Sequence, residues 1–584
     1  MSWRVERDIS GFPVRRSAER TARYRAEGCW RSETLADVAR ARTSEDPARL
    51  LLVEGEQRIT RGEAWEQALR LAAFFASHGL VPGDVVSFQL PNWIEATVIS
   101  LAVRLCGLVV NPIPPIYREA ELGYIAADCG AKLLFVPDVF RNHDHVAMVA
   151  KLRSALPALK DVVVVRGERP SPLAWEDALA FPPLAADALP EVDPASVMMA
   201  MYTSGTTGRA KGVLHGHHGF DYKVRQMAEV WGLTSDDVFF MPSPVTHITG
   251  AFWCVDMPWV CGASSVMMDV WAADEGIRCI EQNGCTVTGG ATPFLQQLLE
   301  VGRDRPAALR TLRIFFCGGT TVSPDLVKQA AAAFPNGSFF RAYGCTEVPC
   351  TTMGIRSPAQ AELGAETDGE VLPPIEVRLV DADGASVPDG EEGEILARGP
   401  EQLLGYVHVE DNGSAFDPDG FFRTGDLGRR VHGDYLVITG RKKDIIIRSG
   451  ENISPKEVED VLFGHPDIAE VAIVAMPSAR TGEKGCAFVI PRGDAVVDLA
   501  SIGRFLEGAG LARQKFPEHV VMVKDLPRVP SGKVRKDVLR EEAKRIAAAE
   551  GGEDGRSDGR TRSARAGVDS SMSTHPLPQR QPRG

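Results

Sequence analysis

No stretch of this 584-residue chain reaches the ~20 apolar residues that a membrane-spanning helix requires. Arg104 and Asp256 interrupt the two best candidates. The start, MSWRVERDIS, is charged where a secretory leader would be apolar. The eleven cysteines are scattered, odd in number and without a C-x-x-C pair. Neither a disulfide framework nor a zinc site is therefore expected, and a reducing cytoplasm is the expected compartment. Basic charge is also in deficit: 65 Lys plus Arg against 78 Asp plus Glu leaves −13. That balance argues against a nucleic-acid or anionic-membrane surface as the main business of the chain. No internal repeat is visible. The 44% hydrophobic and 24% charged residues suit a globular protein with a sizeable core, of about two to four domains.

The N-terminal part alternates between two periods. Thr60-Arg61-Gly62-Glu63 reads as a capping box, and Trp65, Leu69, Ala72 and Phe75 follow at helical spacing up to Gly79. A short apolar strand over 84–90, a helix from Trp93, a strand near 107–110, a helix from Arg118 and a strand over 132–136 come next. This order predicts an α/β fold with a mostly parallel sheet. The pattern returns at 312–316, where a strand runs into Cys317-Gly318-Gly319, and Ser323-Pro324 opens a helix through Phe334. From about Gly369, short strands over 377–380, 394–397 and 435–438 separated by Asp/Gly turns predict a small β-rich lobe. After Gly440 a further α/β pattern begins, with a helix near 455–462, strands over 471–475 and 487–490 and a helix from Leu499. The expected division is a large domain over 1–440, a small C-terminal domain over 441–548, and a Gly/Ser/Arg/Pro-rich tail over 549–584 that should be disordered.

The most informative stretch is Tyr202-Thr203-Ser204-Gly205-Thr206-Thr207-Gly208-Arg209-Ala210-Lys211-Gly212. Small hydroxyl residues between glycines let a backbone bend tightly and aim N–H and O–H donors at an anion. Lys211 adds a positive charge for a polyphosphate. A Walker A loop needs glycine directly before its lysine, and Ala210 stands there. The bland alternative is a flexible Gly/Thr linker.

Downstream, in order, come Tyr343-Gly344-Cys345-Thr346-Glu347, Gly393-Glu394-Ile395-Leu396-Ala397-Arg398-Gly399 and Phe422-Arg423-Thr424-Gly425-Asp426. They are followed by Gly440-Arg441-Lys442-Lys443-Asp444, Gly450-Glu451-Asn452-Ile453 and Pro527-Arg528-Val529-Pro530-Ser531-Gly532-Lys533. This set resembles the signatures of the acyl-adenylate-forming (AMP-dependent synthetase/ligase) superfamily, over nearly everything but the tail. One departure is Ala210, where the family usually has proline; it removes no donor.

The resemblance implies a two-step reaction with ATP, Mg²⁺ and a thiol. It implies that Thr203, Ser204, Gly205, Thr206, Thr207, Gly208 and Lys211 hold the β- and γ-phosphates. Glu347 would bind Mg²⁺, and Thr346 would touch the α-phosphate. Asp426, assisted by Arg441, would hold the ribose, and Tyr343 with Gly344 and the Gly318-Gly319-Thr320 turn would enclose adenine. Lys533 would bridge the attacking carboxylate and the α-phosphate. His247 would gate the acid, Lys443 would be the hinge of a rotating small domain, and the loop to Gly450 would line the passage of a pantetheine arm. Taken singly, Glu347 reads as a solvated surface carboxylate, Asp426 as a cap or turn residue and His247 as a structural histidine. His215, His217 and His218 are expected to shape the turn after the phosphate loop, and the cysteines to be packing residues.

The acid pocket is expected among Thr249, Gly250, Ala251, Phe252, Cys317, Gly318, Ala342 and Val348, which carry no Lys, Arg or Asp to pair a second charge. The look of residues 240–300 resembles medium-chain and cyclohexanecarboxylate-type acyl-CoA ligases. CoA is the expected acceptor because nothing after Lys533 resembles a carrier domain. The segment 22–31, however, resembles aryl-acid-activating enzymes that load a carrier protein. A luciferase-like oxygenase would share every motif. An inactive nucleotide-binding protein would be expected to have lost Lys533, Glu347 or Asp426, all of which are present.

Overall fold

The computed structural model describes residues 3–168, 173–203, 209–319, 322–334, 337–529 and 532–553. Ser204 to Gly208, Thr320 and the chain after 553 lie outside the described residues. Two seven-stranded sheets form the large domain among these residues. The first runs in parallel from Asp161–Val165 through Leu133–Pro137, Val85–Phe88 and Val109–Pro112 to Val197–Thr203, then turns antiparallel at Lys211–Gly216 and Gly405–Tyr406. The second is parallel from Ser338–Arg341 through Ile314–Cys317, Val287–Gly290, Val238–Met241 and Ser264–Met267 to Leu50–Glu54, with Gln57–Thr60 antiparallel at its edge.

The local signals have clear physical outcomes. Thr60 accepts from the Glu63 amide and Glu63 returns the bond, so helix Arg61–Ser77 starts at the expected capping box. Ser323 caps helix Pro324–Ala333 with proline in its first turn. Helix Ile94–Leu105 is buried at every position but Glu95, and its one cation, Arg104, meets Asp256 at 2.5 Å. The two charges that interrupt the apolar runs are thus one ion pair, 2% and 4% exposed. No helix among the described residues is long and apolar enough to cross a membrane, and the cysteines are all free thiols.

The β-rich lobe is an antiparallel sheet of Glu376–Val380, Gly393–Arg398, Phe422–Val431 and Tyr435–Arg441. Strand Phe422–Val431 was absent from the sequence reading, because Arg423, Thr424, Gly425, Asp426 and the arginines beyond mask its alternation. Asp426 is therefore a strand residue, neither cap nor turn. Its chain leaves the lobe through the short turn Lys442–Asp444 and enters the small domain at Ile446–Arg448. There, Glu451–Ile453, Ile446–Arg448, Gly482–Pro491, Ile468–Ser478 and His519–Met522 form one sheet, with helices Pro455–Leu462 and Leu499–Gly508 in its core. A last helix, Lys536–Glu553, packs on strand Ile468–Ser478 and runs five residues into the stretch expected to be tail.

Candidate active site

Parallel strands present ligands at their carboxyl ends, where the loops diverge. Three of the expected segments leave the second sheet at that edge. His247 follows Val238–Met241, Gly318 and Gly319 follow Ile314–Cys317, and Tyr343 to Glu347 follow Ser338–Arg341. The last two run side by side: a Cβ on Gly318 would stand 2.5 Å from the Ala342 carbonyl. Gly319 takes φ +76 beyond it. The Tyr343 loop closes on itself. Thr352 Oγ1 accepts from the Tyr343 amide at 2.8 Å, and a Cβ on Gly344 would meet the Cys350 amide nitrogen at 2.4 Å.

The first sheet brings the phosphate segment. Thr203 and Lys211 are register partners on antiparallel strands, so the ladder itself fixes both flanks of the loop. Gly212 is required there, since a Cβ would come within 2.6 Å of Val407. The Lys211 ammonium lies 3.2 Å from Asp411, and Arg209 meets the same carboxylate at 2.9 Å. Asp411 belongs to none of the motifs. Glu347 is half-buried, and the Tyr406 hydroxyl donates to its Oε1 at 2.9 Å.

The lobe supplies Asp426. Register between Gly393–Arg398 and Phe422–Val431 slips opposite Thr424 to Asp426, where Gly425 adopts φ +70; such a bulge re-aims a side chain. Asp426 is the register partner of Arg441 and accepts from its Nε at 2.6 Å. Its other oxygen accepts from the Tyr343 hydroxyl at 2.9 Å. Both oxygens are thus held, yet a carboxylate offers about four lone-pair sites, so room remains for two further donors. The Tyr343 ring packs with Leu379 and Ile395, and burial with the Asp426 charge keeps its phenol protonated.

The small domain contributes Lys533. Gly532, at φ +85, turns a hairpin-like loop in which the Val529 amide donates to the Lys533 carbonyl. That loop sits against the large domain, with Ala291 Cβ 3.5 Å from where a Gly532 Cβ would be. Burial, and then the neighbouring Arg441, lower the Lys533 ammonium to about 8, while Asp426 opposes the shift. No carboxylate among the described residues lies within ion-pair distance of it. His247 caps the helical turn Ile248–Gly250, accepting from the Thr249 amide at 3.4 Å. Burial, with Lys533 beside it, holds its imidazole near 4, so it is neutral at pH 7. His215, His217 and His218 are buried and likewise neutral, with His218 stacked on Trp30 at 5.1 Å.

The apolar side chains expected around the acid fall in three buried clusters. Phe252 packs against Phe220 in a tilted pair with ring centres 4.3 Å apart, and Ala251 and Ala342 belong to the same cluster. A Cβ on Gly250 would overlap the Pro244 carbonyl. Cys317 faces a second cluster with Phe294 and Val322. Val348 packs in a third, with Val213, Ala397 and Phe422. Gly450 has open space around its Cα and φ +86; with Ser449 at φ +52 it forms the tight turn of hairpin 446–453, which is reason enough for glycine. Lys443 lies exposed in the turn Lys442–Asp444 that joins the two sheets.

The large α/β domain followed by a small second domain is the architecture of acyl- and aryl-adenylating ligases. The chain belongs to the AMP-binding enzyme family, which matches residues 39–407, while residues 457–533 match the AMP-binding enzyme C-terminal domain. It is 36% identical to the medium-chain fatty-acid–CoA ligase of Escherichia coli, over 90% of this chain and 93% of that one. It is 33% identical to the salicyl-AMP ligase/salicyl-S-ArCP synthetase of Mycobacterium tuberculosis, over 91% and 94%. The ATP-bound structure of MatB from Rhodopseudomonas palustris superposes with a TM-score of 0.78 at 29% identity, covering 88% of this chain and 99% of that one.

Proposed function

We propose that the protein is an ATP-dependent acid–CoA ligase acting on medium-chain, alicyclic or aromatic monocarboxylates. The observation that carries this reading is the convergence of Lys533, from the small domain, with Asp426, Arg441 and His247 of the large one. A carboxylic acid is already ionised near neutral pH, so adenylation needs no general base. The barrier is the approach of one anion to the α-phosphate of another, and a lysine with no counter-ion within ion-pair distance among the described residues is suited to lower it. The carboxylate oxygen forms a bond to the α-phosphorus as the bond to pyrophosphate breaks, with Thr203, Lys211 and Thr346 holding phosphate oxygens. Asp426 and Arg441 fix the ribose. The described residues contain no cluster of three or more metal-binding side chains. Glu347, one carboxylate beside phosphate oxygens, instead fits Mg²⁺, which keeps its waters and binds through few protein ligands. That ion would neutralise phosphate charge.

In the second step Lys533 withdraws as the small domain turns about Lys443, and the CoA thiol attacks the acyl-AMP carbonyl, releasing AMP. The 36% identity to a CoA ligase supports CoA as acceptor. The salicyl-AMP ligase likeness supports a second reading, transfer to a carrier protein. Incubation with Mg-ATP and a panel of acids, with and without CoA, separates them by mass spectrometry. Acyl-CoA formed from cyclic or medium-chain acids is the expected result; pyrophosphate with retained acyl-AMP and no acyl-CoA would favour the carrier protein.

The site also sets a pH dependence. Lys533 acts as its cation, which prevails below about 8 and is lost above it. The kcat/KM for ATP in pyrophosphate release, which reports the free enzyme, is expected to decline above that pH. Thioester formation from supplied acyl-AMP should instead rise as the thiol ionises. A flat ATP profile from pH 7 to 10 would exclude the lysine's role.

A further inference from the structure

Tyr406 has no part in any motif that the sequence offers, yet its ring lies between two of the residues assigned above. Strand Gly405–Tyr406 pairs with Lys211–Gly216, placing Val213 opposite Tyr406. Asn412 Oδ1 accepts from the Tyr406 amide at 3.0 Å. The side chain is buried with Val213, Val348, Ala397, Leu403, Phe416 and Phe422. Phenylalanine would satisfy that packing, so the hydroxyl calls for a separate reason. It donates to Glu347 Oε1 at 2.9 Å, and the Lys211 ammonium stands 5.2 Å from the ring centre. Glu347 Oε2 has no hydrogen-bond donor among the described residues.

We propose that Tyr406 is a positioning residue. By holding Oε1 it fixes the Glu347 carboxylate and leaves Oε2 presented to the divalent cation that accompanies ATP. This rests on the reading of Glu347 as that cation's ligand. Partners that orient a metal-binding carboxylate are typically worth ~10–100-fold in metal affinity. A carboxylate on a half-exposed loop, free to rotate, would lose that advantage. Tyr406→Phe keeps the ring, its packing and its contact with Lys211, and removes only the hydroxyl.

The test uses Mn²⁺ as probe. Its binding to the enzyme with α,β-methylene-ATP is followed by electron paramagnetic resonance, and the Mg²⁺ dependence of pyrophosphate release is measured beside it. Tyr406→Phe is expected to weaken Mn²⁺ binding roughly tenfold and to raise the half-saturating Mg²⁺ by a similar factor, with the acid KM changed by less than about twofold. Glu347→Gln, run in parallel, is expected to weaken Mn²⁺ binding at least as much. If Glu347→Gln weakens it and Tyr406→Phe does not, the positioning role is overturned while the metal reading stands. If neither changes Mn²⁺ affinity, both fall. A Tyr406→Phe variant with a lower melting temperature, raised KM for acid and ATP alike and native Mn²⁺ affinity would make Tyr406 a packing residue only.

Discussion

Lys533→Ala is expected to cut acyl-AMP formation by about 10²–10³-fold or more, the scale on which a preorganised charge at developing negative charge acts. Thioester formation from supplied acyl-AMP should stay within about twofold of native, the variation that an exposed, uninvolved side chain commonly allows. The asymmetry arises because Lys533 reaches Asp426, Arg441 and His247 only through the docked loop at Gly532. Lys533→Arg should not restore the first step, since a planar guanidinium is larger and spreads its charge over a fork. Pyrophosphate release and acyl-CoA yield, measured separately, decide the matter. Equal loss in both steps would place Lys533 in folding or in thiol attack instead.

The second large effect concerns stability. Arg104→Leu should destabilise the protein by about 3–5 kcal/mol, because it strands Asp256 in the core without its partner. The Arg104 ring contact at Phe220 and the buried atoms Arg104 Nε, Arg104 Nη2 and Asp256 Oδ2, which have no partner, mark a desolvated pair. The double variant Arg104→Leu/Asp256→Leu should recover most of that loss, since two apolar side chains of similar size often replace a buried pair at little cost. Burial already raises the Asp256 carboxyl, and without Arg104 it rises further. A carboxyl raised in the folded state binds a proton there first, so the single variant's deficit should grow with rising pH and shrink as pH falls. Thermal melts of both variants across pH 5–8 provide the check. A double variant no more stable than the single one would show that the pair is needed for more than mutual neutralisation.

The alternation of strands and helices was legible before the structure because each element's apolar face follows its own period. Thr60 to Glu63 and Ser323-Pro324 mark helix starts by chemistry confined to four residues. Strand Phe422–Val431 was not legible, since residues bound for a site replace those that would show alternation. The last helix, Lys536–Glu553, is mostly polar and gained its place by packing on strand Ile468–Ser478.

The site divides in the same way. Runs such as Thr203 to Lys211 and Phe422 to Asp426 are contiguous, so they carry the resemblance from which the family and its adenylating chemistry follow. Tyr406 and Asp411 went unread, because Tyr406 meets Glu347 across 59 residues and Asp411 meets Arg209 across 202. Packing was equally hidden: Phe252, Cys317 and Val348, expected around the acid, fall in three separate clusters. By itself the sequence, through the resemblance its motifs carry, determined the adenylating family. Only the tertiary structure decided which side chains hold the catalytic ones in place, since those contacts exist only once two sheets, a lobe and a second domain meet at one edge.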